Sequence, residues 1–463
     1  MQTASRCWLP WRSRSPEVRP KPGTELELTV DSLAFGGAGV ARVDGYVVFV
    51  QGGIPGDRVR AVVGQSKRAY AQARAVEILE PSPERIPPLA SHPGAPWQAL
   101  PYDRQLEVKQ EQVADSLRRI GRLEGFELEA ILPALEQWRY RNKLEYSFGS
   151  DSSGRLTCGF HVPGRWDEIA EVNDCLLASE VGNQARELVV AWCREQRLPA
   201  YDRRTGEGFL RNLVVREGRR TNEVLIRLVT SAGKLDREGL AGAAGDAADG
   251  VLWTRIASVA ETTEGGETEL IAGVEHIEEE LGGMRFRISS EAFFQTNTET
   301  AERLYAVAAE FAQPRGHERL YDLYSGIGTI GLLMAPRVAE VWGLEVSEQA
   351  VADAIVNARL NEIEHTRFIA GDVRLALREL VAQAGRPDLL VVDPPRAGLS
   401  QKIVRRIIEA GPARIVYVSC NPTTLAPNAA QLVEAGYVLR RVRPVDMFPQ
   451  TPHIECVALL ERV

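Results

Sequence analysis

The stretch "RLYDLYSGIGTIG", residues 319 to 331, decides how the fold is read. An apolar strand runs into Tyr324, and Gly326, Gly328 and Gly331 then form a Gly-x-Gly-x-x-Gly pattern ahead of a helical stretch. Glycines at these positions let the backbone approach a ligand closely and turn into the next helix. Working outward, from residue 286 onward the runs "VAEVWGLEV", "TRFIAGD", "DLLVVDPP", "RIVYVSC", "YVLRRVRPV" and "ECVALLERV" alternate with helical segments. That rhythm predicts an α/β domain with a mostly parallel, Rossmann-like sheet covered on both faces. Ligands bind such sheets beyond the carboxyl ends of the strands, so the residues just past each strand carry the chemistry.

Glu345 ends the second strand about 20 residues past the first glycine, the distance at which a carboxylate grips a ribose diol. The pair points to an adenosine-containing cofactor, with NAD and S-adenosylmethionine both open. Asp372 ends the third strand and could face the adenine side, although Asp before a helix is equally an N-cap. The fourth strand ends in "DPPRAGL", Asp393 to Leu399, where two prolines remove backbone donors and force an extended rim. The fifth ends at Cys420 in "VSCNP". Cys456 and Cys193 sit in apolar runs and read as core residues.

Upstream, three regions precede this domain. Residues 1–22 mix Pro, Ser and Arg without period and read as a disordered tail. Residues 23–80 carry short alternating runs broken by glycine turns, which predicts a small OB-like β-barrel, either merely structural or, with Lys67, Arg68 and Tyr70 suited to phosphates and bases, binding RNA. Residues 81–285 form a mixed α+β central region. The chain of 463 residues is long enough for several cores, and its six cysteines lack a disulfide spacing. No apolar run reaches the roughly 20 residues of a membrane span, so a cytoplasmic protein with no membrane partner is expected. The net charge of −8 leaves any RNA partner to local basic patches such as Arg139, Arg141 and Lys143.

In order and spacing, "DLYSGIGTIGL", "DPPRAGL", "YVSCNPTTL" and "DMFPQTPHIECV" resemble the S-adenosylmethionine-dependent RNA 5-methyluridine methyltransferases. The resemblance spans residues 23–463 and includes a barrel like the TRAM domain, "YRNKLEYSFG" and "SSEAFFQTN". It implies that Gln295, Tyr324, Glu345 and Asp393 contact S-adenosylmethionine, with Asp372 as a further candidate. It also implies that Cys420 is the nucleophile and Glu455 the general base. The implied substrate is a uridine in rRNA or tRNA, and a monomer is expected.

The chemistry suits those residue types. Uracil C5 is a poor nucleophile until a thiolate adds at C6, and a carboxylate must later remove the C5 proton. Many relatives also hold an iron–sulfur cluster on four cysteines. Here the corresponding positions are Ile86, His92, Ala95 and Cys175, so no iron–sulfur cluster and no metal are expected. Three rivals remain in view: an RNA 5-methylcytosine methyltransferase, disfavoured by the missing second cysteine at "DPPRAG"; an NAD-dependent oxidoreductase, which explains neither Cys420 nor Glu455; and a non-catalytic RNA-binding protein.

Overall fold

The computed structural model describes residues 19–258 and 262–463, in two compact units. Residues 1–18 of the expected tail lie outside the described residues.

The first unit comprises the residues up to 87 with 99–101. Six strands, β1 (Glu25–Thr29), β2 (Ser32–Leu33), β3 (Gly39–Val43), β4 (Tyr46–Gln51), β5 (Arg58–Ser66) and β6 (Tyr70–Glu80), pair in the order β1-β5-β6-β4-β3-β2. Period-two alternation drives it: along β5, Val59, Ala61 and Val63 are buried while Arg58 points outward. Asp57, fully buried, accepts hydrogen bonds from the Ile54 and Ser82 amides, each at 2.9 Å, and from Arg85. Lys67 lies over the Tyr70 ring, which meets Phe49 edge-on at 5.4 Å.

The second unit holds residues 88–98 and 102–463. After α1 (Tyr102–Asp115) and β7 (Glu127–Leu128) comes a seven-stranded sheet ordered β10-β9-β8-β11-β12-β13-β14. Its strands are β8 (Lys143–Ser150), β9 (Leu156–Val162), β10 (Arg165–Glu171), β11 (Leu210–Glu217), β12 (Val224–Thr230), β13 (Gly250–Arg255) and β14 (Glu267–Gly273). One face sends Leu144, Tyr146, Leu213, Val215, Ile226 and Leu228 into a core covered by α2 (Glu180–Glu195) and α3 (Arg237–Ala244). Lys143, Glu145, Arg216 and Arg227 alternate onto the other face. A hairpin, β15 (His276–Leu281) and β16 (Met284–Ser289), leads to α4 (Thr298–Ala312).

The last sheet runs β19-β18-β17-β20-β21-β23-β22-β7. β17 (Arg319–Leu323), β18 (Glu340–Glu345), β19 (Thr366–Ala370), β20 (Leu389–Val392) and β21 (Arg414–Ser419) are parallel, and β22 (Tyr437–Val445) and β23 (Glu455–Arg462) close the edge antiparallel. Between them run α5 (Thr329–Met334), α6 (Glu348–Leu360), α7 (Val373–Ala384), α8 (Gln401–Ala410) and α9 (Pro422–Glu434). Strand order reverses between β17 and β20, which opens a crevice at their carboxyl ends.

Residues 102–132, which the sequence rhythm placed in the central region, attach to this last sheet instead. Leu128 pairs with Val442, Leu132 bridges to Val445, and α1 packs on α9 and β22. The cause is the inward row Gln105, Val108, Lys109 and Val113, two of whose members are polar and so hide the buried face from a hydropathy reading.

Candidate active site

The glycine turn is built by its backbone. Tyr324, at φ +63°, and Ser325 both donate their amides to Leu344 O, and Gly328, at φ +86°, caps α5. A Cβ on Gly328 would lie 2.9 Å from Phe368 Cζ, so only glycine fits there without strain. Glu345 holds the turn, accepting from Gly326 N at 3.0 Å with one oxygen and from Ser347 N at 3.0 Å with the other. Asp372 is exposed and caps α7, accepting from Arg374 N at 2.7 Å. It still lies close enough to raise the Tyr324 phenol, after burial and ahead of Glu345. Those three side chains therefore share one rim.

Gln295 is buried, and its loop is pinned from several sides. Asn142 Nδ2 donates to Gln295 O at 2.9 Å and to Thr298 Oγ1 at 2.8 Å, and Asn297 both caps α4 and donates to Met447 O at 3.0 Å.

At the other side of the crevice, strand register sets Cys420 against Glu455. Ser419 pairs with Cys456 across antiparallel β21 and β23, so Cys420 and Glu455 are the next opposing residues. Asp393 follows β20, with its amide on Leu323 O. Burial pushes the Cys420 thiol up to about 12, helped by Glu455 and Asp393 and opposed by Arg396. Glu455 is 3% exposed, and its Oε2 meets no hydrogen-bond donor among the described residues. Burial, then Asp393, raises it well above the carboxylate range. Asp393 itself is raised to about 7 by burial. Burial thus favours the neutral forms of all three groups.

Several neighbours of these residues carry no motif of their own in the sequence. Tyr305 on α4 faces Gln295, Asp393, Glu455 and Asp322, and its hydroxyl is held neutral by burial first and these carboxylates second. Asp322, inside β17, accepts from Gly331 N at 2.9 Å and is raised by burial to about 7. Asn428 ties the Asp-Pro-Pro turn to α9, accepting from Leu399 N at 2.9 Å and Tyr417 Oη at 3.0 Å and donating to Leu399 O at 2.9 Å. A carboxylate within an apolar strand and an amide within an apolar helix face were the available signals for the last two.

The "DMFPQTPHIE" segment that delivers Glu455 is clasped by α1. Lys109 and Asp446, both fully buried, meet at 2.6 Å. Gln105 exchanges hydrogen bonds with Gln450 at 2.8 and 2.9 Å, and Tyr140 Oη donates to Pro449 O at 3.0 Å. Of the basic residues flagged for phosphate contact, Arg139 forks onto Asp174, Lys143 pairs with Glu145 at 2.7 Å, and Arg141 lies over the Phe448 ring. Elsewhere His92 Nε2 meets Cys175 Sγ at 3.3 Å beside buried Ala95. Among the described residues no group of three or more His, Cys, Asp or Glu could hold a metal ion.

A doubly wound sheet with this glycine turn, a ribose-distance carboxylate and a thiol facing a buried carboxylate defines a nucleoside-cofactor-dependent transferase. Residues 265–463 match the family described as tRNA (Uracil-5-)-methyltransferase, and residues 19–76 match the TRAM domain. An uncharacterized RNA methyltransferase of Porphyromonas gingivalis is 37% identical, covering 94% of this chain and 99% of its own. Another, from Caldanaerobacter subterraneus, is 37% identical over 95% of this chain and 99% of its own. The crystal structure of Pyrococcus abyssi tRNA (uracil-54, C5)-methyltransferase in complex with S-adenosyl-L-homocysteine matches with a TM-score of 0.76 at 29% identity, covering 94% of this chain and 100% of that one. The chain belongs to the tRNA (uracil-5-)-methyltransferase family and is an S-adenosylmethionine-dependent RNA methyltransferase.

Proposed function

We propose that the protein methylates C5 of a uridine in tRNA or rRNA through a covalent bond between Cys420 and uracil C6. The observation that carries this reading is the register that sets Cys420 against Glu455 at the open end of the sheet, beside Asp393. The methyl-donor side fits as well. Gly328 has no room for a Cβ, and Ser325 Oγ is buried without a partner among the described residues. Gln295, Tyr324, Glu345, Asp372 and Asp393 are the residues that would hold the donor. Bound S-adenosylmethionine would supply an electrophilic methyl group and, on its sulfonium, a positive charge that favours the ionised forms of Cys420, Asp393 and Glu455.

The chain's own residues account for the remaining steps. Cys420, once deprotonated, adds to C6, and the electron pair moves to C5 as enolate. After C5 is methylated, Glu455 takes the C5 proton, the C5–C6 double bond reforms and the thiolate leaves. The base has to leave its stack to reach Cys420. Lys67 and Tyr70 in the TRAM domain supply the cation and ring suited to RNA. No iron–sulfur cluster enters this scheme, because Ile86 and Ala95 offer no ligand and His92 and Cys175 alone do not supply the four thiolates a cubane cluster takes; iron bound to purified protein would contradict that.

The test is incubation with unmodified bulk RNA and labelled donor, followed by digestion to nucleosides. Label in 5-methyluridine is expected; label in 5-methylcytidine, or none, refutes the proposal. Cys420→Ala abolishes product, and Glu455→Gln accumulates a covalent protein–RNA adduct.

A further inference from the structure

The polar face of the central sheet holds more buried positive charge than its carboxylates offset. Arg216 on β11 is 2% exposed, and its Nη2 donates to Ala292 O at 2.6 Å. Its Nε and Nη1 have no partner among the described residues. Arg227, one step along on β12, is 1% exposed, with Nε and Nη2 likewise unpartnered. Its Nη1 reaches Thr263 O at 2.7 Å and Glu291 at 2.8 Å. A buried donor left unmade costs about 1–3 kcal/mol and more when charged, so such groups persist where a ligand completes them.

Arg216 lines a cavity of about 300 Å³ together with Arg141 and Lys143, and the Nε of Arg141 is also buried and unpartnered. Against these three cations the cavity wall carries one carboxylate, Glu145, already paired with Lys143. The exposed ring of Phe293 stands at the wall, two residues before Gln295 in the loop on the methyl-donor side of the crevice. A monoanion with several acceptor oxygens is the chemistry that uses a guanidinium fork and a neighbouring ammonium together.

We propose that this cavity binds a backbone phosphodiester of the substrate RNA close to the target nucleotide, with Arg216 as its principal ligand and Arg141 and Lys143 as flanking cations. The inference rests on the RNA-methylating reading above and adds to it a fixed anchor for the strand. Phosphate contacts set position rather than sequence, so the anchor fixes how far the target base swings before it meets Cys420.

The experiment compares wild type with Arg216→Gln and Arg216→Lys, measuring affinity for unmodified bulk RNA against salt concentration and, separately, affinity for S-adenosylhomocysteine. Loss of one phosphate contact lowers the slope of log affinity against log salt by about 0.7–0.9. Arg216→Gln is expected to show that drop, an about tenfold weaker RNA affinity at low salt, and unchanged cofactor affinity. Arg216→Lys, which keeps the charge and loses the fork, is expected to restore the slope but not the full affinity. Should Arg216→Gln fail to fold, Arg216→Lys alone decides, because wild-type affinity in that variant refutes the fork. An unchanged slope in Arg216→Gln overturns the proposal. Weakened cofactor binding with RNA binding intact also overturns it, by placing the cofactor carboxylate in the cavity. The nucleoside analysis on wild type is independent: an Arg216-dependent slope without 5-methyluridine would sink the activity reading and leave the subsite standing.

Discussion

Replacing Lys109 by Met tests how the segment bearing Glu455 is held. The Lys109–Asp446 pair is fully buried at 2.6 Å; the ammonium also donates to Phe448 O at 3.2 Å and lies 5.6 Å from the Trp97 ring. Lys109→Met fills the space but strands the Asp446 carboxylate, whose Oδ2 already lacks a partner among the described residues. Removing one member of such a pair costs about 3–5 kcal/mol. Spread over the about 370 residues of this unit, at about 2.1 cal/mol/K each, that lowers Tm by about 4–6 °C. The double variant Lys109→Met/Asp446→Asn removes the stranded charge and regains about half of the loss or more. Urea unfolding followed by tryptophan fluorescence reads this out, with Trp97 as a local reporter. With Glu455 in its proposed role, methyl transfer falls further than stability does, since a shift of about 1 Å in a reacting group can cost about a hundredfold. A single variant within 1 kcal/mol of wild type, or a double variant no better than the single, refutes the reasoning (the threshold being about the value of an exposed pair).

Two further outcomes follow from the cofactor side. Asp322 is raised from 3.8 to about 7, chiefly by burial, so its contribution to stability is full below pH 4 and is lost as pH rises through about 7. Over that window the loss is on the order of 4 kcal/mol, and Asp322→Asn, which keeps an acceptor for Gly331 N, should flatten the decline in urea midpoints of cofactor-free protein between pH 5 and 8; an identical pH profile would exclude this account. Gly328→Ala should cost about 1–3 kcal/mol from its left-handed φ, and the approach to Phe368 should weaken S-adenosylhomocysteine binding in calorimetry; Phe368→Leu should recover part of the binding, and unaltered binding in Gly328→Ala would show that the turn is not tight.

Legibility divides along the range of the interaction. The strand tips were readable because turn chemistry is local: glycines, Asp-Pro-Pro and Asn-Pro each mark where an apolar run must stop. Asp372 shows the limit, since one position served as helix cap and rim carboxylate and the sequence could not separate the two. Lys109, Gln105 and Arg216 were not readable as site-supporting residues. Their meaning comes from partners in distant segments, and a lysine or arginine in a polar-looking helix or strand reads as solvated until the fold buries it. Residues 102–132 went to the wrong neighbour for the same reason.

The clasp between α1 and the last turns of chain also has a temporal side. Gln105 and Gln450 are 345 positions apart, and Lys109 and Asp446 are 337 apart. During synthesis, α1 leaves the ribosome long before its counter-ion exists, so Lys109 must stay hydrated and the helix undocked until the segment around Asp446 has emerged. Contacts of such sequence separation form slowly. On the proposed mechanism, Cys420 is therefore made before Glu455 is held in place, and the pair is completed only when the segment carrying Asp446 and Gln450 docks onto α1.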